Sequence, residues 1–236
     1  MVGTLINVVT IISGGIIGTL IGNRLSPKIR QTVMAGLGIF TLGYGVMSFI
    51  KTENPLIPLG GLILGAILGE WWRIEEGLEI LGTSIKRHTQ SIFVLSSIHF
   101  VEGFVTASLL FCIGPMAILG SIQDGLTGDY SMLVIKAVMD GFASIAFAST
   151  LGIGVIFSAG MVLIYQGSIS LLAGLISSGF SEQMIIEMSA VGGIILIGLA
   201  ISSLLEIKKI RIGSFLPALI LTPLLVWLLT ILNVSY

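Results

Sequence analysis

Long apolar runs, broken only by short polar punctuation, leave this chain almost no surface suited to water. They fall near residues 2–22, 32–50, 56–70, 100–120, 132–150, 152–175, 186–205 and 213–232. About 20 apolar residues in helical form cross the roughly 30 Å hydrocarbon core of a bilayer. Charged residues make up 10% of the 236 positions, against about 25% in a soluble domain, so the outside of the fold must face lipid. Backbone in lipid must satisfy its own hydrogen bonds, which a helix does within one segment. The expectation is an all-α, polytopic transmembrane helix bundle of about eight spans, with seven as the alternative, in which 1–236 form a single integral membrane domain. Met1 leads into the first run with no preceding Lys or Arg, which points to a retained span and not a cleaved signal.

The stretch 131–180 is too long for one helix and suggests two, joined by a tight turn near Thr150–Gly154. Loop charge supports that division, because short loops rich in Lys and Arg stay cytoplasmic. Arg24, Lys28 and Arg30 follow the first run, Arg73, Lys86 and Arg87 the third, and Lys208, Lys209 and Arg211 the seventh. Loops 121–131 and 176–185 carry no Lys or Arg. Two spans in 131–180 place every basic loop on one side, with eight crossings and both termini outside.

Residues 71–91 differ from the rest. Charged residues alternate there with Leu78, Leu81 and Ile85 at helical spacing, next to Trp71 and Trp72. That pattern predicts an amphipathic cytoplasmic helix at the membrane surface. The apolar runs also repeat one motif. Gly14/Gly18/Gly22 and Gly61/Gly65/Gly69 recur every four residues, and Gly192-Gly193 with Gly198 resembles them. Such stripes let helices approach closely, within one chain or between two. Repeated helical hairpins, and a homodimer, are the corresponding expectations.

Ionisable groups inside a span cost roughly 2.5–3.5 kcal/mol each on insertion scales, so each needs a reason. Here they concentrate between His99 and Asp140. Glu102 shares a helical face with His99 and Thr106, and Ser108 follows. Lys136 and Asp140 are four apart, with Ser144 continuing their face. Between them, Gly114-Pro115 should break the helix, since proline removes an amide donor, and a non-helical stretch from Gly120 to Asp129 should follow. Gln123 and Asp124 lie in that stretch, and Asn7 adds an amide to the first span. The functional reading is an ion or solute pathway through Glu102, Asp124 and Asp140, with Lys136 as a switchable counter-ion. A packing-only Lys136–Asp140 ion pair is the alternative.

A net charge of −1 and the lack of basic-aromatic clusters argue against nucleic acid as a partner. No HExxH, nucleophile-elbow or phosphate-loop motif occurs, so no enzyme activity and no cofactor are expected. The lone Cys112 reads as a small buried hydrophobe.

The run from Phe104 to Leu126, with Gly114-Pro115 and Gln123-Asp124-Gly125 inside it, resembles the family catalogued as domain of unknown function 554. So do Lys136 to Gly152, the Gly-rich first span and the turn Pro27-Lys28-Ile29-Arg30, which together cover nearly the whole chain. The resemblance implies a multi-pass protein of the bacterial cytoplasmic membrane, of a kind often labelled a transporter. It implies no substrate. A transporter or channel for an ion or small polar solute is therefore the leading expectation, and a dimeric membrane scaffold or sensor the competing one.

Overall fold

In the computed structural model the described residues are 1–22, 24–90, 99–176 and 181–232. They are helical almost throughout: α1 (Val2–Gly22), α2 (Pro27–Phe49), α3 (Leu56–Trp71), α4 (Ile74–Gln90), α5 (Phe100–Cys112), α6 (Pro115–Thr127), α7 (Ser131–Leu151), α8 (Gly154–Leu171), α9 (Ala173–Ile176), α10 (Glu182–Leu199) and α11 (Ala218–Ile231). Among the described residues, six helices are long and apolar enough to cross a membrane, or eight if each of the bent pairs α3–α4 and α5–α6 is one span. The all-α, multi-span expectation holds. Of the helix expected over 71–91, Ile74–Gln90 form α4, Trp71 ends α3, Trp72 and Arg73 make the turn between them, and position 91 lies outside the described residues.

The chain divides into two compact units, Met1–Leu37 with Glu79–Ser178 and Gly38–Leu78 with Gly179–Tyr236. The first is organised by α1 lying along α7. Gly3 meets Leu133, Gly14 meets the Gly141 carbonyl, Gly18 that of Ile145 and Gly22 that of Ser149. The pairing advances along both helices together, so they run parallel. Opposite to them runs α8, whose Ile156 meets Gly15 and whose Gly167 meets Met1. The broken pair α5–α6 runs alongside α8, with Phe100 at Gly154 and Gly125 at Ser170. Gly152, at φ 81°, makes the tight turn between α7 and α8, a left-handed conformation that favours glycine. Phe104, Phe111 and Phe147 fill the centre of this unit.

In the second unit, α3 lies antiparallel on α11, with Gly61 at Thr222, Gly65 at Ala218 and Gly69 at Ser214. Gly45 of α2 meets Gly193 of α10 backbone to backbone. Ile57, Met184 and Val226 form a small buried cluster joining α3, α10 and α11. Both expected glycine stripes are therefore occupied within the chain.

The polarity of α1 is inverted relative to a soluble helix. Gly3, Thr4, Asn7, Ile11, Gly14, Gly18 and Gly22 are buried, while Leu5, Val9, Ile12, Ile16 and Leu20 are exposed. Small and polar residues inward with aliphatic residues outward is the arrangement that lipid favours.

One expectation is corrected. The non-helical stretch placed from Gly120 to Asp129 is helical as far as Thr127. Proline at the first position starts a helix as readily as it interrupts one, because the first amides have no intrahelical acceptor. Gly120 and Gly125 serve packing instead, against Leu133 and the Ser170 carbonyl.

The seam makes a direct prediction. A Cβ at Gly18 would collide with the Ile145 carbonyl, whereas at Gly36 it would meet nothing within 4 Å. Gly18→Val should cost about 2–3 kcal/mol and lower the thermal midpoint of the detergent-solubilised protein. Gly36→Ala should leave it unchanged or raise it by up to about 1 kcal/mol.

Candidate intramembrane polar site

The buried face of α1 carries one amide, Asn7, completely shielded from solvent. It faces α7 at the level where Lys136 and Asp140 stand one helical turn apart. The Lys136 ammonium is paired with Asp140 Oδ2, and Asn7 Nδ2 donates to that same oxygen at 2.9 Å. Asn7 Nδ2 also lies 3.3 Å from its second acceptor, Gln166 Oε1 of α8. Lys136 and Asp140 are 7% and 8% exposed, and Gln166 is fully buried. One carboxylate oxygen thus gathers groups from α1 and α7, and Asn7 extends the network to α8. The Lys136 Nζ lies 6.0 Å from the centre of the Phe111 ring on α5, where an aromatic face attracts a cation.

The break in the fourth span falls beside this cluster. Ile113 is extended (ψ 103°) between Cys112 and the new helix, and α5 and α6 meet at 61°. Phe111 contacts Phe147 at 6.4 Å between ring centres, and Gly120 meets Leu133. Residues 113–115 therefore fall at the level of Asp140. One helix ends its run of carbonyls there and another begins its run of amides, groups that lack intrahelical partners.

Asp124, 3% exposed, stands at the head of α1. Its Oδ2 accepts from the Gly3 amide at 3.1 Å, and the Met1 amino nitrogen lies 2.9 Å from Oδ1. A carboxylate is stabilised at a helix N-terminus by the first amides and the helix dipole. Gly3 and Asn7 are four apart on one face, so Asp124 and Asp140 engage successive turns of α1. Next to Asp124 on α6, the Ser121 carbonyl accepts from Ser170 Oγ at 2.9 Å.

The remaining candidates scatter. Ser144 is fully buried one turn beyond Asp140, and Thr106 and Ser108 are buried on α5. Glu102 does not converge with the two aspartates. It sits in the first turn of α5, with His99 Nδ1 3.0 Å from its Oε2, while Asp124 closes the far half of the same broken span. A distance of 22 residues along two successive helices separates them. Gln123 turns away from the cluster and donates to Asp129 Oδ2 at 2.8 Å. Asp129 belongs to the α6–α7 turn. The hydroxyl and then the amide of Ser131, with Gln123 adding to them, hold its carboxyl below the usual range.

One buried acid escaped the sequence argument. Glu187 of α10 is fully buried and accepts from Thr52 Oγ1 at 2.5 Å, the Glu53 amide at 2.9 Å and the Asn54 amide at 3.3 Å. It fastens the turn before α3. The reasoning that singled out Asp140 applied equally to a lone acid within the run 186–205, and would have found it.

A helix bundle that turns aliphatic side chains outward and encloses Asn, Lys, Asp and Gln is a polytopic α-helical membrane protein. The chain belongs to the family described as Protein of unknown function (DUF554), matched over residues 2–227. It is 31% identical over 233 residues to the "Uncharacterized membrane protein YdfK" of Bacillus subtilis (strain 168), covering 97% of each chain. It is likewise 31% identical over 224 residues to the "Uncharacterized protein YqgA" of Escherichia coli (strain K12), covering 94% of each. No solved structure matches it.

Removing one member of a buried ion pair strands the other. Asp140→Ala should therefore destabilise the detergent-solubilised protein by about 3–5 kcal/mol, while Lys136→Met with Asp140→Leu should be close to neutral. Thermal unfolding of both variants checks this. In the second unit, Glu187→Ala leaves three donors without their acceptor and should cost about 3 kcal/mol. Limited trypsin digestion should then cut faster after the neighbouring Lys51.

Proposed function

We propose that the protein is a transporter or channel for an ion or small polar solute, and that Asp140 is the group on which a cationic species binds. The observation that carries this reading is the Lys136–Asp140 pair, buried in a span and shared with Asn7 beside a broken helix. A pair that served packing alone could be replaced by apolar residues without loss. Intramembrane charges next to an interrupted helix are the arrangement in which transporters bind their substrates and coupling ions.

The chemistry follows from the competition for one carboxylate. With Asp140 ionised, Lys136 is its counter-ion and Asn7 its hydrogen-bond donor. A proton or cation arriving at Asp140 displaces the ammonium, and the Phe111 ring offers it a second position. Loss of the Lys136 contact is felt by α1 through Asn7 and by α8 through Gln166. The α5–α6 break lies at the same level and supplies a hinge. A ligand that binds the two arrangements unequally shifts the balance between them. The loops rich in Lys and Arg support a location in the bacterial cytoplasmic membrane with both termini outside.

Reconstitution in liposomes loaded with dyes for H⁺, Na⁺ and K⁺ tests the proposal. The wild-type protein should carry at least one of these ions faster than protein-free liposomes do. Asp140→Asn should lower that flux more than tenfold while keeping a folded thermal transition. Absence of flux for all three ions, or an unaltered rate in the variant, overturns the assignment of Asp140.

A further inference from the structure

Seven buried side-chain atoms of the first unit have no hydrogen-bond partner: Arg30 Nε and Asp124 Oδ1, the latter beside the Met1 ammonium, and five others, Thr4 Oγ1, Asn7 Oδ1, Gln166 Nε2, Ser144 Oγ and Ser108 Oγ. Among the described residues, the spans of the second unit leave only Thr222 Oγ1 in that condition. All five residues are 4% exposed or less. An unpaired polar group inside a bilayer costs several kcal/mol, so five in one unit call for an explanation.

Their positions supply it. Thr4 lies on the first turn of α1, beside Gly3 and hence Asp124. One turn on are Asn7 and Gln166, joined to Asp140. Ser144 is a further turn along α7, its Cβ beside Gly14. Ser108 comes last, one turn before Phe111, whose ring meets Phe147. At 1.5 Å rise per residue the steps along the helix axes are about 5–10 Å, a length that one to three hydrogen-bonded waters would span. The sequence of atoms runs past the Lys136–Asp140 pair towards the α5 end that carries His99 and Glu102.

We infer that these atoms line a water file that carries protons through the first unit, with Asp140 as its titrating step. The inference rests on the transport reading and names its ion. A metal cation needs several oxygens converging on one point, whereas these atoms occupy successive levels. Three of the five are hydroxyl oxygens, which donate and accept at once, as a relay of protons requires. A proton reaching Asp140 adds to its carboxylate and frees the Lys136 ammonium. The proton then leaves to the next water and the ion pair re-forms, with no other bond made or broken.

The full-length protein in liposomes with a trapped pH dye, under a potassium diffusion potential set by valinomycin, tests the inference. Wild-type protein should conduct H⁺, and Ser144→Ala and Ser108→Ala should each slow it at least fivefold. A purely structural role predicts the opposite pattern: unchanged flux, since deleting an unpaired buried hydroxyl only relieves the fold. Thermal midpoints equal to or above wild type show that the variants remain folded. Proton flux unaffected by either alanine overturns the file. Uptake of Na⁺, or of K⁺ in liposomes without valinomycin, in the absence of H⁺ flux overturns the proton inference but leaves the transport reading standing, and needs no variant to detect. No flux of any of the three ions overturns both.

Discussion

The structure of the first unit depends on how closely α1 approaches α7. Gly14, Gly18 and Gly22 bring the α1 backbone onto the carbonyls of Gly141, Ile145 and Ser149, which ordinary side chains would hold apart. The same face of α1, continued towards its start, presents Asn7 and Gly3. Close approach at the glycines therefore sets the distance at which a short amide reaches a carboxylate on the neighbouring helix. Held further away, Asp140 would lose its Asn7 donor while still confined to a span with its ammonium partner.

From that contact the polar site follows. Asp140 is satisfied by two donors on one oxygen, and Asn7 passes the connection to Gln166. Asp124 repeats the idea at the head of α1, taking a backbone amide instead of a side chain. In the second unit Glu187 is satisfied by a hydroxyl and two amides. Glu187 and Asp124 are both buried acids placed at the start of a glycine-striped helix, where free amides and the helix dipole suit a negative charge. Asp140 alone among these three is balanced by a side-chain cation.

Much of the fold was legible because lipid imposes simple rules. The apolar runs at 2–22, 56–70 and 132–150 correspond to α1, α3 and α7, and the Thr150–Gly154 turn is built on the positive φ of Gly152. Gly114-Pro115 marked the helix break, since removal of an amide donor is a local property. The extent of the break was not local. Gly120 and Gly125 suggest loop when read alone, yet in α6 they admit Leu133 and Ser170. Glu102 was grouped with Asp140 as an acid within a span, although its place in the first turn of the run 100–120, three residues from His99, already set it at the end of α5.

By itself the sequence determined the class of the protein, its helical spans and the intramembrane ion pair. Each follows from short-range rules: hydropathy over about 20 residues, backbone satisfaction within a helix and the i, i+4 spacing of Lys136 and Asp140. Tertiary structure decided that the glycine stripes pack within the chain and that Asn7 and Gln166 complete the Asp140 site. Those outcomes join residues more than 100 positions apart. Which helices touch in lipid is set by the fit of their surfaces, and no stretch of the sequence read on its own contains both faces.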